Sequence, residues 1–137
     1  MATMATKVYL SRRYAGMKRD MDLVRALLAQ IEEDDRFSGA EAFLAHEAFT
    51  VSPYTPEEVG YHVLLLLDAG YLKGNSEVPS MPVIERLTWE GCEFLENTRD
   101  PEIWEKAKER AKTLRGVSIA ILLEIVKAEI KKKLGLG

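Results

Sequence analysis

Leu23, Leu27 and Ile31 repeat every four residues, with Val24 and Leu28 beside them. One apolar face of that kind predicts a helix from about Arg19 to Glu33. The acids of Glu32 to Asp35 end the pattern. Residues 36–52 carry two patterns at once. Ser38 and Glu41 match a capping box, which predicts a short helix. Phe43, Ala45, Glu47, Phe49 and Val51 alternate instead, and Ala48–Val51 has strand composition. The expectation is a short helix or irregular turn followed by a brief strand. The next pattern is the clearest. Thr55 stands at an N-cap, Pro56 at the first helical position and Glu58 where it closes a capping box, and Gly70 is placed to stop the helix. Val59, Val63, Leu66 and Leu67 make its core face, and Leu64 and Leu65 extend the apolar surface almost all round. Tyr71–Lys73 and Val83–Leu87 read as two strands joined through the turn that begins at Gly74-Asn75-Ser76.

Thr88 caps a further helix through Trp89, Phe94 and Leu95, and Asp100-Pro101 starts another. Gly116 separates a last helix, about Val117 to Leu134, whose Lys131–Lys133 suit the negative end of its dipole. A capped Leu-rich helix, a glycine stop, two short strands and another helix follow the outline of a winged helix-turn-helix. The predicted fold is mainly α with a small β-wing, a winged helix-turn-helix-like single domain with additional C-terminal helices. Residues 1–16 lack helical periodicity and read as a flexible extension or the product of an upstream start, since Met17 offers a second start. Residues 17–99 form the winged-helix-like core, and 100–137 a helical extension that packs on the core or forms a dimer seam.

Composition narrows the class. With 137 residues, 47% hydrophobic and 30% charged, the chain has enough for one domain with a proper core. The longest apolar run, Val117–Leu123, is broken by Glu124, so no membrane insertion is expected. A lone cysteine, Cys92, excludes an internal disulfide framework, and a reducing cytoplasm is the expected location. Charge is unevenly placed. Residues 1–16 hold Lys7, Arg12 and Arg13 without an acid, 17–99 hold 7 basic and 16 acidic residues, and 100–137 hold 9 basic and 6 acidic. An acidic core repels phosphate, so any DNA contact must use local basic patches or the ends.

Three segments together, Met17–Leu28, Val59–Leu72 and Leu87–Trp104, resemble the bacterial and phage domain-of-unknown-function family numbered 2513. The resemblance runs from about Met17 to the C-terminus. It implies a small winged-helix-like protein, often phage- or prophage-associated, with no established activity. The family pattern usually has a histidine where this chain has Cys92, which speaks against a role that needs imidazole there.

Candidate chemistry is sparse. The helix over 55–70 sits where a DNA reader carries its recognition helix, yet its first turn offers Glu57 and Glu58, and from Thr55 on no basic residue occurs before Lys73. Acids there stabilise a helix N-terminus. Lys73 and Arg86 flank the wing and can touch a phosphate backbone, or simply blunt a sheet edge. With Lys7, Arg12 and Arg13 they are the candidate DNA contacts. His62 lies one turn after Glu58, so the two side chains are expected to pair on a helix surface. His46, His62 and Cys92 lack the spacing of a metal site, and Cys92 reads as a small buried residue. Trp89 and Trp104 read as core anchors. Glu58, His62, Leu65, Ile119, Leu122 and Val126 make the candidate interaction surface. No phosphate loop or nucleophile motif is present, so no catalytic residue, cofactor or metal is expected. The leading expectation is a non-enzymatic binding module acting through protein contacts, as a homodimer or with another protein. The alternative is a DNA-binding transcriptional regulator using the 55–70 helix and the wing.

Overall fold

A computed structural model describes residues 14–45, 50–78, 81–112 and 117–136. Among them are five α-helices and a small antiparallel sheet of three strands, and two compact units divide the chain, Met1–Cys92 and Glu93–Gly137. Lys7, Arg12, Arg13 and His46 lie outside the described residues.

In the first unit, α1 spans Met21–Glu33 and buries Leu23, Val24, Leu27, Leu28 and Ile31, the face that the four-residue spacing predicts. Asp20 caps it. A 3₁₀ turn, Asp35–Phe37, follows and buries Phe37. An irregular turn and a brief strand follow, as expected, but the strand comes earlier: residues 38–41 bend, β1 is Phe43–Leu44, and Ala45 is helical where the described residues break off. Of the stretch with strand composition, 48–51, residues 48 and 49 lie outside the described residues. The reason is non-local. Phe43 pairs with Ile84 and Leu44 with Val83 on the open edge of a strand forty residues later. Phe43 also meets Phe37 edge to face, with ring centroids 5.8 Å apart.

Helix α2, Pro56–Asp68, has the full capping box: Thr55 accepts the Glu58 N–H, and the Glu58 carboxylate accepts the Thr55 N–H at 3.0 Å. It ends in a Schellman motif. The Tyr71 N–H donates to Leu66 O at 2.9 Å and the Gly70 N–H to Leu67 O at 3.2 Å, with Gly70 at φ 77°. That left-handed turn reverses the chain into β2, Leu72–Asn75, which pairs with β3, Val83–Leu87. The strand order is β1-β3-β2, with β3 in the centre and a bulge at Lys73/Gly74. At Gly74 a Cβ would strike Val83 O, so only glycine fits that approach.

Helix α3, Trp89–Thr98, starts at Thr88, whose hydroxyl accepts the Gly91 N–H at 3.2 Å and donates to Gly70 O at 2.5 Å. Gly91 lies against Tyr71 O, where a Cβ would collide. Trp89 is no core anchor: it is 75% exposed, because the first helical position points away from the packed side. Cys92 is exposed as well, contrary to the buried reading.

In the second unit, α4 spans Pro101–Ala111 and α5 Ile119–Lys133. Phe94, Ile103, Trp104, Ala107, Leu122 and Val126 are buried, and Phe94 meets Trp104 edge to face at 6.3 Å. Asp100 caps α4 and accepts Lys133 Nζ at 2.5 Å. Glu129, almost fully buried, accepts Arg110 Nη1 at 2.9 Å. These two ties hold α4 and α5 together at separate points.

Candidate functional site

The sequence places its candidate residues on α2, on the β2–β3 hairpin and on α5, and their surroundings differ sharply. On α2, Val59, His62, Val63 and Leu66 are buried, which is the i, i+3, i+4, i+7 face of one helix. His62 therefore occupies a core position and is 1% exposed. The expected surface pairing with the Glu58 carboxylate is corrected. His62 Nδ1 lies 2.8 Å from the Glu58 backbone O, and the Glu58 carboxylate is engaged in the capping box. The cause is the burial: an imidazole turned inward reaches its own helix's carbonyl four residues back, not solvent.

The other ring nitrogen settles the tautomer. His62 Nε2 lies 2.7 Å from the Asp20 backbone N–H, which can only donate. Nε2 is then the acceptor and Nδ1 carries the proton to Glu58 O. Asp20 is a hub. Its Oδ1 accepts the N–H groups of Asp22 and Leu23 at 2.9 and 3.2 Å, and its Oδ2 accepts the Tyr54 hydroxyl at 3.0 Å. Burial and the neighbouring Asp20 carboxylate raise the Tyr54 hydroxyl above its ordinary range. His62, Asp20 and Tyr54 thus bind the start of α1 to α2 and to the loop before it. The arrangement satisfies the polar groups it brings together.

The outer side of α2 is half-exposed at Glu57, Gly60, Tyr61, Leu64 and Leu65, and Asp68 is exposed. Tyr14 packs onto it. Its ring lies 5.5 Å from that of Tyr61, and a Cβ added to Gly60 would meet the Tyr14 hydroxyl at 3.3 Å. Tyr14 is 7% exposed, so the packed fold begins before Met17. No periodicity announces a single tyrosine before a turn; its only sequence signal is a large aromatic beside Gly16, which sits at φ 77°.

Lys73 and Arg86 are cross-strand partners in the register of β2 and β3, and both are exposed. Directly opposed residues share one side of a sheet, so the two cations stand together. Arg86 is held: its Nη1 donates to Leu87 O at 2.8 Å and its Cδ lies over Gly39. On α5, Leu122 and Val126 are buried, Ile119 is half-buried and Ile121 is 49% exposed. Leu122 and Val126, like His62, therefore offer no surface, because the second unit uses them for its own core. Among the described residues no cluster of three or more His, Cys, Asp or Glu could hold a metal ion. No described helix is long and apolar enough to cross a membrane.

Fold and site together define a mainly helical protein with a small three-stranded antiparallel sheet. The chain belongs to the family described as "Hypothetical protein (DUF2513)", whose profile matches residues 18–118. It is also similar to a Haemophilus influenzae protein described as "Uncharacterized protein", with 32% identity over 114 residues, 81% of this chain and 90% of that relative. No solved structure matches the chain.

Proposed function

We propose that this chain is a non-enzymatic, winged-helix-like binding module that works through protein contacts, beginning with a second copy of itself. The winged-helix reading rests on the order of α1, β1, α2, β2 and β3, with β3 central in the sheet. The observation that carries the functional reading is the outer side of α2. It has no cation from Pro56 to Asp68, carries Glu57 and Asp68, and presents Tyr61, Leu64 and Leu65 half-exposed. A duplex groove needs donors to base edges and cations to phosphates. An aromatic and aliphatic surface with an acidic rim suits a protein partner better. Trp89, 75% exposed, adds an anchor of the type that dominates protein interfaces.

The test is analytical ultracentrifugation of the full chain at tens of micromolar, alone and with a random duplex pool at low and high salt. The expected result is a concentration-dependent dimer, weakened by Leu65→Glu, with no sedimenting DNA complex. A monomer throughout removes self-association. The second reading, a DNA-binding regulator, is favoured by one observation: Lys73 and Arg86 are register partners on one exposed side. Salt-sensitive DNA binding lost in Lys73→Glu would establish that reading in place of the first.

A further inference from the structure

Along one side of the α4–α5 pair runs a cleft of about 480 Å³. Lys106 and Arg110 line it from α4, Lys132 and Lys133 from α5, and Ile103 forms an apolar wall. Two carboxylates face the same space, Glu129 and Glu109, so the lining carries two more cations than anions. In a chain with a formal net charge of −3, that is a local reversal of sign.

The carboxylates are already engaged. Glu129 is buried under Arg110, with its side chain 8% exposed, and fixes the guanidinium at the cleft. Glu109 pairs with Lys112, which lies outside the lining, at 2.9 Å. Lys133 is tied to Asp100 at 2.5 Å. Lys106 pairs with Glu102 at 3.0 Å, but both side chains are more than half exposed, and such pairs contribute little. Lys132 makes no ion pair among the described residues. The cleft therefore holds one unengaged ammonium, a second that is weakly engaged, and a fixed guanidinium.

We infer that this cleft binds a phosphate-bearing small molecule. A phosphate monoester carries roughly −1.5 to −2 charges near neutral pH and a polyphosphate more, opposite in sign to the excess of the lining. The volume falls within the range of small-molecule sites, roughly 300–1,000 Å³, and Ile103 offers an apolar contact to whatever carries the phosphate. Lys132 and Lys106 supply the charge from opposite walls. The ligand thus bridges α4 and α5 and adds a contact to a pair otherwise joined by Arg110–Glu129 and Lys133–Asp100.

The test is calorimetric titration of the full chain with ATP and with inorganic tripolyphosphate, at low ionic strength because salt screens exposed charge. The comparison is with Lys106→Gln/Lys132→Gln and, as a control, Lys127→Gln, which lies on α5 outside the lining. Both probes are expected to bind, the double variant at least about tenfold more weakly, and the control unchanged; tenfold is 1.4 kcal/mol. Tighter ATP than tripolyphosphate assigns the apolar wall to the organic part, and equal binding assigns a phosphate-only site. No binding by the wild type overturns the inference and leaves the lysines as neutralisers of the helix end. Equal weakening by the control overturns it too, as diffuse charge attraction. Binding of duplex DNA that ATP cannot displace, lost in the double variant, replaces the small molecule with a polynucleotide.

Discussion

The imidazole Nε2 of His62 accepts the backbone N–H of Asp20 at 2.7 Å, across forty-two positions of sequence. The bond joins the N-cap of α1 to the buried face of α2. Replacing His62 by Leu keeps most of the volume and strands the Asp20 N–H. The expected loss is about 1–3 kcal/mol in urea unfolding, the cost of a buried donor left unmade. Nitrogen chemical shifts of the ring are expected to show the proton on Nδ1. A proton found on Nε2 would contradict the bond.

Tyr14 covers Gly60 and Tyr61 on the outer side of α2. A chain starting at Met17, or Tyr14→Ala, removes that cover. Stability is expected to fall by about 1.5–3 kcal/mol, the worth of burying one large side chain. Tyr61, half-exposed in the intact fold, should be nitrated faster. Unchanged stability in both variants would mean that the ring adds no net packing.

Gly91 and Thr55 separate two kinds of local constraint. Gly91→Ala drives a methyl into Tyr71 O at the start of α3 and should shift the β2–α3 junction, seen as faster amide exchange at Leu72 and Thr88. Thr55→Ala leaves the backbone alone and removes one capping bond of α2. Its expected cost is about 1 kcal/mol. The measurement is thermal unfolding of the two variants beside the wild type.

Asp100 and Lys133 make the second unit sensitive to acid. The hydrogen bond from Lys133, then the α4 N–H groups, hold the Asp100 carboxyl below its ordinary range. A lowered carboxylate contributes stability above its unfolded value and loses it as pH falls through the folded value. Lys133 is raised by the Asp100 hydrogen bond, so its share is present below the ordinary lysine range and fades as pH rises through the folded value. Asp100→Asn can keep the cap but not the charge. Melting curves taken from neutral to strongly acidic pH should show a smaller acid loss in Asp100→Asn than in the wild type.

Local order was legible along the chain because its causes are local. The α1 face, the Thr55–Glu58 box, the Gly70 stop and the caps Thr88 and Asp100 each lie within one helical turn of what they control. The two longer strands follow from short apolar segments around a turn. What only the tertiary structure decided depends on partners distant in sequence. Phe43–Leu44 is a strand because β3 leaves an edge open to it. His62 is buried because α1 brings the Asp20 N–H to its ring, although its place between Val59 and Leu66 on one helical face already hinted at the core. Trp89 stands exposed and Leu122 and Val126 are consumed inside their own unit, reversing the surface that hydrophobicity alone suggests. Periodicity tells which residues share a face of an element. It does not tell which element covers that face, since burial is a property of the assembled chain.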